Sequence, residues 1–161
     1  MIESVANWLS STSLNAILGT HLWVTPAVQT IHILAIALIM SAILLTDLRV
    51  LGAIGQDVPT RQFSARYLPW IGAALLTLLL SGTVLIVGEP HRSLGNQIFY
   101  LKMGLLILAI AVTAAIHWPV LYKQDFWRPP GRQIALRSLA VLSLGIWVSI
   151  IFAGRWIAYS Y

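Results

Sequence analysis

Four uninterrupted apolar runs constrain this chain more than any other feature. They extend from about Pro26 to Thr46, Pro69 to Gly88, Ile98 to Trp118 and Ile134 to Ala158. Each matches the roughly 20 apolar residues that cross a hydrocarbon core as one helix. The runs are continuous rather than alternating, and a bilayer admits only helices or closed barrels, because every backbone polar group must find its partner internally. Helices are therefore expected. Only 9% of the 161 residues are charged and 58% are hydrophobic, against roughly 25% charged in an ordinary soluble domain. The expected fold class is all-α: an integral membrane four-helix bundle over residues 25–161, preceded by a short N-terminal interfacial amphipathic segment over residues 1–24.

Local signals bound these spans. Thr25-Pro26 reads as an N-cap followed by a proline at the first helical position. Asp47 and Arg49 end the first span as a polar pair. Pro69 opens the second, and Gly88-Glu89-Pro90 ends it. Pro119 closes the third, and Pro129-Pro130-Gly131 separates it from the fourth. The N-terminal stretch lacks the charged n-region and cleavage site of a signal peptide. Val5, Trp8 and Leu9, then Leu14, Ile17 and Leu18, suggest two short amphipathic pieces, the second capped by Ser13. Such pieces lie in the interface plane, the level that Trp8 and Trp23 favour.

Of ten Lys and Arg residues, Arg49, Arg61, Arg66, Lys123, Arg128, Arg132 and Arg137 fall on one side of the expected membrane. The positive-inside rule places that side in the cytoplasm of a bacterial inner membrane and both termini in the periplasm. The net charge of +5 is thus a topology signal, and nucleic-acid binding is not expected. The absence of cysteine excludes thiolate metal sites and iron–sulfur clusters built by this chain.

Ionisable groups at membrane depth are costly and mark function. His32 lies six residues past Pro26, roughly 9 Å in from the outer end at the helical rise. Gln29 sits one turn above it. Lys102 lies just inside the outer end of the third span, and Arg155 about one turn inside that of the fourth. Alternating helix directions bring His32, Lys102 and Arg155 to one level. An imidazole with two cations beside it suits a b-type haem, the imidazole binding iron and the cations pairing with propionates. His21, His91 and Met103 are candidates for a second iron ligand. Ala35, Gly72, Ala73, Gly82 and Ala109 offer room for close packing, and Ala109 and Thr113 lie in line below Lys102. His117 falls fifteen residues beyond Lys102, roughly 22 Å deeper, so it does not share an iron with His32. It reads as an interfacial or packing histidine beside Trp118 and Pro119. The competing expectation is a cofactor-free membrane subunit, assembly factor or small-solute or ion permease, in which His32, Lys102 and Arg155 form a polar cluster.

The first-span His32 with its "TDLR" exit, "FYLKMGLL" around Lys102, "AAIHW" around His117 and "GRWIAY" at Gly154–Tyr159 resemble a group of bacterial four-span membrane proteins. That group includes the HemJ-type protoporphyrinogen oxidases and the CopD-type copper-resistance proteins. The resemblance covers most of the chain from Trp23 onward. It implies a b-type haem, with His32 and Lys102 at the positions that HemJ-type proteins require. It also implies a haem-dependent oxidoreductase, or an electron carrier, working with a quinone, a porphyrin or a membrane or periplasmic redox partner. The first-span exit here lacks the Pro-Arg and aromatic enrichment of the HemJ type. Three methionines and no cysteine equip the chain poorly for copper, which favours soft sulfur ligands.

Overall fold

The computed structural model describes residues 2–123 and 126–156. It contains α1 (Ile2–Ser10), α2 (Ser13–Thr20), α3 (Val24–Leu51), α4 (Thr60–Gly88), α5 (Pro90–Leu94), α6 (Gln97–Tyr122) and α7 (Pro130–Trp156). No strand occurs among the described residues. Helices α3, α4, α6 and α7 are long and apolar enough to cross a membrane, and the chain is a multi-pass membrane protein with an all-α four-helix bundle. The expected end of the fourth span and the "IAY" of its closing motif, within residues 157–161, lie outside the described residues.

The bundle is a ring in which neighbours run antiparallel. Helix α3 packs most extensively on α4 and also on α7, while α6 packs on α7. The contact between α4 and α6 is thinner, and that seam is partly open. Ile39, Ala42, Ile43, Ile71, Ala74, Ala109, Val112, Ile116, Ile146, Trp147 and Ile150 form the shared core. Alanines at 42, 74 and 109 let backbones approach, which matters in lipid because helix association there depends on close packing. Leucines and isoleucines on the outer faces are exposed, among them Ile33, Leu79, Leu80 and Ile107. These outward faces are the ones lipid covers.

The helices outrun their apolar cores. Helix α4 begins at Thr60, so Pro69 lies inside it, and Pro119 lies inside α6. Neither proline breaks its helix, as is common where neighbouring groups re-satisfy the freed carbonyl at membrane depth. Likewise α3 starts at Val24 with no side-chain cap, rather than at Thr25-Pro26. It runs one turn past Asp47 to Gly52, whose φ of 85° lets its N–H reach the carbonyls of Leu48 and Arg49.

Helices α1, α2 and α5 cover the end of the bundle where α3 begins; this is the cap end. Thr12, not Ser13, caps α2 by accepting from the Asn15 N–H. The Asn15 side chain donates to the carbonyl of Val87 at 2.7 Å and so satisfies one of the orphan acceptors at the end of α4. The opposite, basic end carries the α3–α4 and α6–α7 connections. There the Arg49 guanidinium donates to the carbonyl of Val58 at 2.5 Å and to Gln56 Oε1 at 3.5 Å, folding the loop back on α3. Arg61 Nε donates to the carbonyl of Leu121 at 3.1 Å and ties α4 to α6.

Candidate functional site

Two polar layers interrupt the apolar bundle. His32 and Asp47 on α3 are fifteen residues apart, as are Lys102 and His117 on α6. At the helical rise each pair spans roughly 22 Å, so one layer lies near the cap end and the other near the basic end.

In the cap-end layer, His32 Nδ1 and Ser81 Oγ are 2.8 Å apart across the α3–α4 contact. The Ser81 hydroxyl lies 2.5 Å from the carbonyl of Thr77 and donates its proton there. Its oxygen is then an acceptor, and the proton in the His32 contact belongs to Nδ1. A neutral imidazole protonated at Nδ1 carries its lone pair at Nε2. Gly82 follows Ser81, and a Cβ there would lie 3.5 Å from His32 Cε1, so a glycine leaves space beside the ring.

Lys102 reaches the same region from α6. Its charge acts on His32, although α3 and α6 stand on opposite sides of the ring of helices. Its stem lies against Gly154 of α7, where a Cβ would sit 3.5 Å from Nζ. Lys102 makes no hydrogen bond or ion pair with the described residues. His32 and Lys102 thus both lie toward the cap end of the bundle, on α3 and α6. Arg155, next to Gly154, is exposed at the end of α7, and Gln29, one turn from His32, is also exposed. Met103 is half-buried. His21 is exposed, with Nδ1 held 3.1 Å from the carbonyl of its own helix at Ile17, and His91 is exposed on α5.

The basic-end layer departs from the sequence reading. Asp47 does not pair with Arg49, whose side chain turns to the α3–α4 loop. The carboxyl is instead fully buried and neither oxygen has a hydrogen-bond partner. Ser143 of α7, also fully buried, approaches it without completing a hydrogen bond. His117 is not interfacial: it is 1% exposed, with both ring nitrogens unbonded. On the facing pair α6–α7, Trp147 Nε1 donates to Thr113 Oγ1 at 3.4 Å. One turn further toward the basic end on each helix come His117 and Ser143, which places them, and hence Asp47, near one level. Ser64 of α4 is buried and unbonded as well. A buried polar group without a partner costs about 1–3 kcal/mol. Asp47→Val should therefore raise stability by about 1–3 kcal/mol, read as a higher midpoint of denaturation in mixed micelles. A helix-end ion pair would give the opposite sign.

Among the described residues no three His, Cys, Asp or Glu side chains cluster as a metal chelate. A porphyrin supplies four nitrogens of its own, so haem iron asks for only one or two ligands from the chain.

A family model covers residues 6–160, that of DUF6644, a family of unknown function; the chain belongs to this family. No curated protein and no solved structure matches the chain.

Proposed function

We propose that this membrane protein binds a b-type haem at the cap-end layer and serves electron transfer or a redox reaction linked to a quinone or a porphyrin. The observation that carries the reading is the relay Thr77 carbonyl, Ser81 hydroxyl, His32 Nδ1. Ligating histidines almost always donate their second ring N–H to a fixed acceptor, which orients the ring and sets the tautomer. Here that acceptor leaves Nε2 as the donor atom for iron. Lys102 brings a half-buried ammonium without an anion to the same layer, and Arg155 stands at the helix end beside it; both suit propionates. Gln29 borders the same edge. His21 and His91, both exposed at the cap end, are the candidates for a second ligand. Haem, when bound, supplies a one-electron centre whose potential depends on axial ligand and burial. The chain's own part is to hold the ring, neutralise the propionates and keep water away with the apolar faces below. The resemblance to the HemJ-type and CopD-type group supports the same reading.

The His32–Ser81 bond also ties two helices together, which is what a cofactor-free bundle would use it for. An absorption spectrum separates the two. Protein purified in mild detergent from haem-replete cells should show a Soret band, and b-type peaks after dithionite, all lost in His32→Ala. A colourless wild type overturns the proposal.

The cap end then faces the periplasm of an inner membrane and the basic end the cytoplasm, as the charge bias requires. The chain has no cysteine, so single cysteines report on this directly. His91→Cys should react with a membrane-impermeant maleimide in intact spheroplasts, and Gln56→Cys only after lysis.

A further inference from the structure

A buried imidazole whose nitrogens have no partner borders an open seam at the basic end. A cavity of about 340 Å³ lies between α4 and α6, with Gly72 and Leu75 on one wall, Thr113, Ala114 and His117 on the other, and Trp147 behind. Its lining is mostly apolar; the polar groups are His117, the hydroxyls of Thr113 and Tyr122, and the indole N–H groups of Trp118 and Trp147. The Thr113 hydroxyl already accepts from Trp147. His117 is 1% exposed, and neither nitrogen has a hydrogen-bond partner. A neutral imidazole needs one acceptor for its N–H, and a buried donor left unmet is expensive. The volume lies within the range of small-molecule sites, which are mostly apolar with a few placed polar groups. Trp118 and Tyr122, both well exposed, stand at its rim, as aromatic side chains do at the level of a membrane surface.

The ligand that fits is flat, uncharged, resident in lipid and edged with a hydrogen-bond acceptor. No Lys or Arg lines this cavity, and the nearest guanidinium, Arg61, commits its Nε to the carbonyl of Leu121 at the rim, so the inner cleft suits an uncharged group better than a phosphate. We infer that the cleft binds the head ring of a lipid-soluble quinone, with the His117 N–H donating to a ring carbonyl and the tail leaving between α4 and α6. This inference rests on the cleft alone and stands whether or not haem binds at His32.

The test is titration of decylubiquinone into the detergent-purified protein, read by quenching of tryptophan fluorescence, since Trp118 and Trp147 border the cavity. Saturable quenching is expected in the wild type. Gly72→Leu should weaken the apparent affinity at least tenfold. A Cβ at Gly72 meets nothing within 4 Å, so the added side chain enters the cleft without disturbing the fold, which far-UV circular dichroism checks. His117→Leu should weaken binding as much, and His117→Gln, which keeps a donor, should recover most of it. His32→Ala should leave quenching unchanged while removing the haem spectrum, which separates this inference from the haem proposal. Quenching that does not saturate, or that is the same in wild type and Gly72→Leu, overturns it. So does a Soret band lost in His117→Leu, because the imidazole would then be serving iron.

Discussion

Ser81→Ala should bind haem about 10- to 100-fold more weakly than the wild type if His32 holds the iron as proposed, although Ser81 would not itself touch the metal. The reason is local. His32 is held by one hydrogen bond, from Nδ1 to a hydroxyl whose own proton is committed to the Thr77 carbonyl. Removing the hydroxyl releases the ring to rotate and lets the proton move to Nε2, the atom proposed to bind the metal. The backbone at 81 is mid-helix, where alanine is the best helix former, so the bundle should persist. Haem titration of apo-protein, followed at the Soret band, measures the change. Ser81→Thr keeps the hydroxyl and should recover most of the affinity, which a loss of packing alone would not explain. If Ser81→Ala binds haem as the wild type does, the imidazole is oriented by something else.

The layer that holds His32 and Lys102 is legible in the sequence because depth in a membrane helix follows from residue count. Six residues past Pro26 and four past Ile98 lie at a similar depth from one surface. Ser81 escapes such counting. A serine in "LLLSGTV" satisfies itself on the carbonyl four residues back, as Ser41, Thr77 and Thr83 also do, so its presence carries no signal until a partner is placed opposite. Asp47 is misread for a different reason. Hydropathy ends the first run near Thr46, which makes Asp47 look terminal, but α3 continues to Leu51. The buried positions Ala35, Ile39, Ala42, Ile43, Thr46 and Asp47 follow the helical period without a break, and that periodicity points the carboxyl at the bundle axis. The same rule recovers His117. Ala109 and Thr113 share the inward face of α6, and His117 is the next residue on that face, one turn on. Its neighbour Trp118 does face outward, so of the interfacial and packing alternatives for His117 the buried, packing one agrees with the structure, while Trp118 takes the outward face. The prolines at 69 and 119 look like helix ends because that is what they are in water; at membrane depth they need not be.

The bundle's stability should be decided at residues such as Ile43, not at its many exposed leucines. Ile43 is fully buried in the shared core, whereas Leu79 on α4 is 67% exposed. In water both truncations would change the exposure of apolar surface. In a bilayer lipid is as apolar as a side chain, so transfer contributes little and packing decides. Ile43→Ala leaves a void that no lipid tail fills and forfeits its dispersion contacts; a loss of about 2–5 kcal/mol is expected. Leu79→Ala exchanges contact with lipid for contact with lipid and should change stability by less than about 0.5 kcal/mol. Denaturation in mixed micelles, followed by circular dichroism, compares the two. Equal losses would mean that the outer face of α4 is covered by protein, and a second copy of the chain would then be the first partner to look for. Unequal losses in the expected order fix the ring of α3, α4, α6 and α7 as a unit that packs inward, with its two polar layers held in place by the apolar core between them.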